Sequence, residues 1–436
     1  MTISISGEPD RDVIVVGGGP AGAICALLLA QGGARVSLAH WGGYAPGGIE
    51  LVSGHARSII ERHCSSFFRE AVPGVEVHET ISLWDTPEPV IFNAMFNPWG
   101  PGVAVERQLF DRALCNLARD AGVSIVSGAK VAGIERRGDR WRILMRLAKT
   151  SADEAGSSGV CTASFLVIAT GRVAAPFLDR SPLVESSQIA LMTLLDERSE
   201  EPCAEPRRAS QHTLYIEATD KGWWYALPAM GGKYFAGFCI DRDELRRRQV
   251  PLKDFFFQEL QRTRLLAPLL PSTRGMQPMS GRTAGAGAYD SAAGDGWLAV
   301  GDAAYAPDPL SGMGIEWAVE SAQLAARELR LAGDRPPVVV HARELADQDC
   351  THGLLTVQSR AERTVTSGPP PPATRGAGEP RVALRRPDSV LGYLNHPAVP
   401  TADATSGTPW HGTGLSTRSR SATPLRSIGS ARRTIL

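Results

Sequence analysis

The chain has 436 residues, of which 43% are hydrophobic, and it carries 46 basic and 46 acidic side chains. This length allows two domains, or one large domain with an insertion, and the apolar content is sufficient for a sizeable core. The balanced charge is not that of a nucleic-acid-binding protein, and no apolar run is long enough to span a bilayer. The scattered cysteines and the absence of a signal-peptide pattern predict a cytoplasmic location. The charge and the short apolar runs predict that neither nucleic acid nor a membrane is a partner.

A glycine-rich turn follows the first predicted strand, Val13 to Val16, and precedes a predicted helix. Its glycines fit G-x-G-x-x-G, in which the first permits a tight turn, the second admits a pyrophosphate and the third allows close helix packing. The helix N-terminus supplies free N–H groups and a partial positive charge for phosphates. The residues assigned to this dinucleotide site are Gly17, Gly19, Pro20, Ala21 and Gly22.

The second strand of this β-α-β unit is predicted at Ala34 to Ala39. A dinucleotide fold usually carries an acidic residue at the end of that strand, where it binds a ribose hydroxyl. This chain has His40 at that position. An imidazole can also hydrogen-bond a hydroxyl, and the alternative is a loop histidine without a ligand.

The remaining pattern alternates between helical and extended segments. Residues 75–106 and 212–240 are rich in aromatic and β-branched residues and predict strands, those of the second segment in an antiparallel sheet. Helical periodicity and short apolar runs define the other elements. Helices are predicted at 106–122, 251–270 and 314–333, and strands at 123–126, 131–135, 141–146, 165–172 and 297–301.

A second turn with cofactor-binding character follows the strand at 297–301. The carboxylate of Asp302 can accept a hydrogen bond from a ribitol or ribose hydroxyl. A proline-containing loop then leads to S-G-M-G at the start of a helix, where backbone N–H groups can hold the electron-rich edge of a reduced isoalloxazine. The residues assigned here are Gly301, Asp302, Pro309, Gly312, Met313 and Gly314.

Together with Arg107 in an R-x-x-F-D-x-x-L pattern and an A-T-G turn ending at Gly171, these motifs resemble the group A flavoprotein monooxygenases. The flavin-dependent halogenases and geranylgeranyl-reductase-like enzymes are similar. The resemblance spans roughly residues 10–335 and implies FAD, with Arg107 near it and Asp302 on its polyol chain. Two positions depart from the family pattern: His40 replaces the acid, and Thr170 stands where many hydroxylases have aspartate.

The aromatic strand Gly222 to Pro228 is similar to a halogenase motif. Halogenases also need a pocket lysine in about the first hundred residues, whereas the first lysine here is Lys130. That strand and Asn97 to Gly102 more closely resemble the halogenase-like monooxygenases that mature tryptophylquinone enzymes such as quinohemoprotein amine dehydrogenase.

This resemblance implies a monooxygenase that hydroxylates a tryptophan side chain of a peptide or protein, namely a quinoprotein subunit precursor. FAD reduced by transiently bound NAD(P)H, or by a separate reductase, would trap O2 as a C4a-hydroperoxide. The alternatives are a flavin-dependent halogenase, a geranylgeranyl-type reductase and a non-catalytic flavoprotein assembly factor. The oligomeric state stays open.

The substrate side is expected to involve Trp223 and Trp224, with Glu50, Tyr225 and Asp308 as catalytic candidates for proton transfer. Strand alternation should send Trp223 and Tyr225 to one face and Trp224 to the other. Core packing is the alternative for each aromatic residue, and a solvated loop carboxylate is the alternative for Glu50. No metal site is predicted, because the histidines at 55, 63 and 78 lack metal-like spacing.

The predicted fold class is α/β, or α+β overall: a Rossmann-like FAD-binding domain with an inserted antiparallel β-sheet substrate domain. The FAD-binding domain is expected to comprise 1–80, 101–175 and 283–335, and the substrate domain 81–100 and 176–282. Residues 336–366 should form a helical extension. Residues 367–436, rich in Pro, Ser and Arg, should be mostly disordered.

Overall fold

A computed structural model of the chain describes residues 11–42, 48–84, 87–147, 158–173, 178, 180–185, 187–196, 211–270 and 278–332. The helices are α1 Pro20–Gln31, α2 Gly54–Glu61, α3 Arg107–Asp120, α4 Arg242–Arg246, α5 Leu252–Leu260 and α6 Gly314–Ala332. The strands are β1 Arg11–Val16, β2 Val36–His40, β3 Ile49–Val52, β4 Val75–Val77, β5 Glu79–Leu83, β6 Val90–Asn93, β7 Gly102–Glu106, β8 Ser124–Ser127, β9 Ala129–Arg137, β10 Arg140–Leu147, β11 Ser158–Ile168, β12 Pro182–Glu185, β13 Gln188–Asp196, β14 Thr213–Ala218, β15 Gly222–Ala229, β16 Lys233–Asp241, β17 Ser280–Thr283, β18 Gly287–Tyr289, β19 Ala293–Gly294, β20 Trp297–Ala299 and β21 Tyr305–Ala306.

The first sheet has the strand order β19-β20-β11-β1-β2-β8, in which the five strands from β20 to β8 run parallel. Helices α1, α3 and α6 contribute apolar side chains to the core on one face, and the hairpin β9–β10 contributes to the core on the other. Strand β1 is covered on both sides, which explains its continuous run of buried apolar residues. The predicted α/β class with a Rossmann-like sheet is confirmed.

The second sheet has the order β17-β13-β16-β15-β14-β5-β6 and is antiparallel except for the pair β14 and β5. One face packs its aromatic residues against α5. The other face shares a core with the small sheet β3-β7-β4. This sheet is the predicted antiparallel insertion, and the residue bounds given above for the two domains stay a prediction.

One predicted helix is shorter than expected. The periodicity indicated a helix over 251–270, but α5 ends at Leu260. The carboxylate of Glu217, only 2% exposed, accepts hydrogen bonds from the backbone N–H groups of Arg264, Leu265 and Leu266. In a continuous helix these three groups would donate to carbonyls four residues earlier, so the buried carboxylate replaces that helical bonding.

All described residues belong to one compact unit. The predicted helical extension at 336–366 and the predicted disordered segment at 367–436 lie outside the described residues. Within the described part of the chain, no helix combines the length and apolar character that crossing a membrane requires.

Candidate active site

A cavity of about 760 Å³ is lined by both large sheets and by the first turns of α1, α3 and α6. The carboxyl ends of parallel strands meet at one edge of a sheet, so motifs far apart in the sequence come together there. The predicted cofactor residues that line the cavity are Gly17, Gly19, Pro20, Ala21, His40, Arg107, Gly171, Asp302, Pro309, Gly312 and Gly314. Three predicted cofactor residues, Gly22, Gly301 and Met313, are not among those lining it.

The turn between β1 and α1 forms a cradle for a phosphate group. Gly17 has φ +120°, and a Cβ on it would lie 2.0 Å from the carbonyl oxygen of Ala169. A Cβ on Gly22 would lie 2.0 Å from the carbonyl oxygen of Gly17, whereas a Cβ on Gly19 would meet no atom within 4 Å. The first turn of α1 has no capping side chain and no acidic residue. This open, positively polarised helix end fits a pyrophosphate.

His40 lies at the end of β2 and lines the cavity. It is buried, and its Nε2 lies 3.0 Å from Oγ of Ser127. Burial, together with the charge of Arg119, lowers the pKa of His40. The imidazole is therefore neutral at neutral pH, and it is a strand residue rather than a loop histidine.

The turn that precedes α6 is held by its own side chains. The Asp308 carboxylate accepts from the backbone N–H of Leu310 at 2.9 Å, and Oγ of Ser311 accepts from that of Met313 at 3.3 Å. Gly312 has φ +68°, and a Cβ on Gly312 or Gly314 would meet nothing within 4 Å. The turn is fixed by these bonds yet open toward the cavity, as a flavin ring requires.

Arg107 is held between two carboxylates at the start of α3. Its Nη1 donates to Oε2 of Glu50 at 2.7 Å, and its Nε and Nη2 each donate to Asp111 at 3.1 Å. Burial raises the pKa of Asp111, and the charge of Arg107 opposes that rise. Glu50 therefore lies on strand β3 rather than in a loop, and it is ion-paired with Arg107 while its side chain stays 39% exposed.

Asp302 is paired with an arginine that the sequence analysis did not assign to the site. The Nε of Arg172 donates to Oδ2 of Asp302 at 3.1 Å, and its Nη1 donates to the carbonyl of Gly285. Burial raises the pKa of Asp302 while Arg172 lowers it. The position of Arg172 directly after the A-T-G turn is the signal that could have identified it.

The aromatic strand β15 divides its side chains between two faces, as predicted. Trp223 and Tyr225 line the cavity. Trp224 is fully buried on the opposite face, stacked on Phe238 with ring centroids 4.4 Å apart and an interplanar angle of 8°. It also packs edge-on against Phe256. The expected substrate contact of Trp224 is therefore wrong: alternation places this residue in the core.

The Tyr225 ring lies across strand β16 at Gly237. A Cβ on Gly237 would be 2.2 Å from Cε1 and Cζ of Tyr225, so only glycine leaves room for the ring. Burial raises the pKa of Tyr225 well above its ordinary value. The phenol therefore stays protonated and able to donate a hydrogen bond.

Asp308, the third catalytic candidate, lies beside the cavity rather than in its lining. Its neighbours Pro307 and Pro309 face the cavity. Burial raises the pKa of Asp308, although the N–H of Leu310 and the charge of Arg172 oppose the rise. Burial therefore favours the protonated form of this carboxyl more than water does.

A cluster of one histidine and two glutamates was not predicted from the sequence. Nδ1 of His55 lies 3.2 Å from a carboxylate oxygen of Glu316 and 3.2 Å from one of Glu320. These three groups converge within 4.8 Å, although no sequence spacing indicated it. The carboxylates come from successive turns of α6 and the histidine from α2, so the contacts join two helices.

Comparison with known proteins adds relatives across most of the chain. No protein-family model matches it. LodB of Marinomonas mediterranea, described as an FAD-dependent oxidoreductase, is 26% identical over 343 residues, which are 77% of this chain and 88% of that protein. A tryptophan 2-halogenase of Chondromyces crocatus is 26% identical and is covered over 62% of its length by 74% of this chain. A digeranylgeranylglycerophospholipid reductase of Methanosarcina mazei is 26% identical, with 74% of this chain and 76% of that protein covered.

Over about three quarters of its length the chain is therefore similar to FAD-dependent oxidoreductases and flavin-dependent halogenases. Solved structures share its fold. The myxobacterial chondrochloren halogenase CndH has a TM-score of 0.64 at 22% identity, covering 82% of this chain and 81% of that one. The peptidyl tryptophan dihydroxylase QhpG has a TM-score of 0.60 at 23% identity, covering 82% and 75%.

The cradle at Gly19 and the open turn at Gly312 thus fit the two ends of FAD. The pyrophosphate would lie at the N-terminus of α1, and the flavin ring at the N-terminus of α6. The polyol chain between them would pass Asp302. The cavity then continues past the ring position to the aromatic face of the second sheet.

Proposed function

We propose that this oxidoreductase is a monooxygenase that hydroxylates an electron-rich aromatic ring, namely a tryptophan side chain in a peptide or protein. One observation carries the proposal: a single cavity joins the two FAD-binding turns to a wall containing Trp223 and Tyr225. Such a wall can hold an indole by offset or edge-to-face ring contacts. A shared fold with a peptidyl tryptophan dihydroxylase supports this choice of substrate.

The residues of this chain would bind and orient the substrate and exclude water. When bound, FAD supplies the activation of O2. The apolar side chains that surround the substrate end of the cavity keep water from the reacting groups. They are Met192, Leu214, Ile216, Leu227 and Phe235.

Three polar groups would donate or hold protons at the substrate end of the cavity. The protonated Tyr225 hydroxyl donates a hydrogen bond to a substrate atom at the wall. Asp308 and Glu50 are the carboxyl groups that can hold a proton for transfer. The raised pKa of Asp308 favours its protonated form, whereas Glu50 is held in its ion pair with Arg107.

The proposal also covers the reductant, the co-substrate, the protein partner, the location and the domains. The reductant would be transiently bound NAD(P)H or a separate reductase, and O2 would be the co-substrate. The protein partner is a quinoprotein subunit precursor, and the location is cytoplasmic. The proposal also includes the division into an FAD-binding and a substrate domain, with the residue bounds predicted from the sequence.

A halogenase is the second candidate, since a tryptophan halogenase is among the relatives. The resemblance to halogenases implies a pocket lysine, and among the described residues none of those lining the cavity is a lysine. A geranylgeranyl-type reductase is the third candidate, supported by a related reductase. It would saturate double bonds without O2.

The test uses purified protein with FAD, NAD(P)H, O2 and a tryptophan-containing peptide of a quinoprotein precursor. Mass spectrometry should show a gain of about 16 or 32 Da on the indole, corresponding to one or two oxygen atoms. Bromide or chloride incorporation would indicate a halogenase. Oxygen-independent saturation of a prenyl substrate would indicate a reductase.

The control is Gly19→Trp, whose side chain would fill the open space before α1. This variant should bind no flavin and make no product. If it still supports maturation of the partner in cells, the protein is a non-catalytic assembly factor, and the proposal is wrong.

A further inference from the structure

We infer that Arg282 forms a binding subsite for a carboxylate on the aromatic substrate. The inference rests on the proposed aromatic substrate and adds the chemical group that fixes its orientation. Arg282 lies on β17, lines the cavity and was not identified by any sequence motif.

Among the described residues that line the cavity, this arginine is not paired with a carboxylate. Three arginines line it, and the carboxylates of Glu50, Asp111 and Asp302 also line it. Arg107 holds the first two carboxylates and Arg172 holds the third. Among the described residues, the side chain of Arg282 forms no hydrogen bond or ion pair, so its guanidinium retains its donors for a ligand.

The guanidinium of Arg282 lies close to the loop residue Gly48. Its Nη2 lies 3.8 Å from the point that a Cβ on Gly48 would occupy, beside the strand that carries Glu50. The charge of Arg282 acts on Tyr225 and on Asp111, which places it near both. The protonated Tyr225 hydroxyl is thus a second donor close to the same space.

The sheet register shows how a substrate would span the site. Arg282 pairs with Ala190, Ala190 with Cys239, and Cys239 with Trp223, in one row across four neighbouring strands. Directly opposed residues share a face, and all four line the cavity. Strands lie about 4.8 Å apart, so the backbones of Arg282 and Trp223 are separated by about 14 Å.

The two residues between them have short side chains, which leaves the middle of the row open. An aromatic ring beside Trp223 and Tyr225 could therefore extend a carboxylate over Ala190 and Cys239 toward Arg282. A guanidinium fork binds a carboxylate through two parallel hydrogen bonds, a geometry that an ammonium lacks. The carboxylate can be that of a free aromatic amino acid or that of an acidic residue beside tryptophan in a peptide.

The experiment measures binding to the FAD-loaded protein by calorimetry, so it does not depend on turnover. One pair of probes is N-acetyltryptophan and its amide. The other is a terminally blocked tripeptide with Asp beside Trp and its Asn counterpart. Wild-type protein should bind the acid of at least one pair about tenfold or more tightly than the neutral partner. The first pair selects a free amino acid, and the second selects a peptide.

Arg282→Met should remove this preference while leaving FAD affinity unchanged, and Arg282→Lys should retain part of it. The matched control is Arg112→Met, which removes a positive charge from the exposed side of α3. The inference is overturned by equal affinity for acid and neutral probes, by no binding of any probe, or by an unchanged preference in Arg282→Met. Loss of FAD in Arg282→Met would assign the arginine to the cofactor instead. Failure to hydroxylate with the preference intact would refute the proposed function alone.

Discussion

Two glycines at the start of α1, three positions apart, differ in the space around them: one is tightly packed and the other is open. A Cβ on Gly22 would press against the carbonyl of Gly17, whereas a Cβ on Gly19 would enter open space where the pyrophosphate is expected. The backbone of Gly19 has φ −78°, which any residue adopts. Packing therefore requires Gly22, whereas we expect Gly19 to be required by the bound pyrophosphate.

This difference predicts opposite phenotypes for two alanine variants. Gly22→Ala should lower the free energy of unfolding by about 1–3 kcal/mol, because the added methyl overpacks the turn. Gly19→Ala should leave the free energy of unfolding within about 0.5 kcal/mol of wild type and weaken FAD binding about tenfold. Urea unfolding and flavin fluorescence titration measure the two quantities. A destabilised Gly19→Ala with normal FAD affinity would contradict the assignment.

Asp308 should leave a signature in the pH dependence of stability. Burial raises the pKa of this carboxyl in the folded state. An acid whose pKa is raised on folding favours the folded state at low pH, and that contribution is lost as the pH rises above its unfolded pKa of about 3.9. Asp308→Asn does not titrate. Its stability relative to wild type should therefore increase as the pH is raised from about 4 to 7.

Asp12→Asn is the control of opposite sign. A hydrogen bond from Arg35 lowers the pKa of Asp12, so this carboxylate contributes stability above its unfolded pKa and loses it as the pH falls. The stability of Asp12→Asn relative to wild type should decrease as the pH rises. Urea unfolding at several pH values measures both trends, and parallel trends in the two variants would contradict these assignments.

At the scale of single elements, alternation along β15 separates cavity-lining residues from core residues. Trp224 and Phe238 stack in a core that also contains Phe256, while Trp223 has one side toward the cavity. Adjacent tryptophans of the same strand thus have different surroundings. Their variants should fail in different assays.

Trp224→Leu should lower the free energy of unfolding by about 3 kcal/mol or more, because it leaves a void between packed rings. Trp223→Leu should destabilise the protein less and raise KM for a tryptophan peptide. Urea unfolding and steady-state kinetics distinguish the two. Equal losses of stability with unchanged KM in both variants would show that Trp223 is a packing residue.

Local patterns predicted most elements, since periodicity and glycine turns are properties of short stretches. The helix at 107–120 and the alternation at Trp223 to Tyr225 agree with those patterns. The end of α5 was not predictable because it depends on Glu217, which lies on strand β14. His55 and Glu316 are 261 positions apart, and the row joining Arg282 to Trp223 requires the register of four strands. Such partners become visible only when the fold is known.

At the scale of the whole molecule, the cavity draws on a limited part of the chain. The described residues that line it lie between Gly17 and Ala318. Every residue predicted to contact FAD lies at or before position 314.

Deleting residues 367–436 should accordingly leave FAD binding intact. The truncated protein should purify with the same flavin content and show the same Kd for FAD as the full chain, measured by absorbance and fluorescence titration. A matched deletion from residue 312 onward removes the turn at Gly312 and α6, and should abolish binding. Loss of flavin in the first deletion would show that the C-terminal segment takes part in the site.

The two FAD-binding turns also have a consequence for biosynthesis. Gly17 leaves the ribosome early, but the turn at Gly312 and the helix that packs on α1 follow almost three hundred residues later. The place predicted for the flavin ring is therefore synthesised last. We expect flavin to bind late, and a ligand that binds only the folded state shifts the equilibrium toward that state by mass action. In cells that are short of riboflavin, we expect this protein to accumulate as a protease-sensitive apo-form.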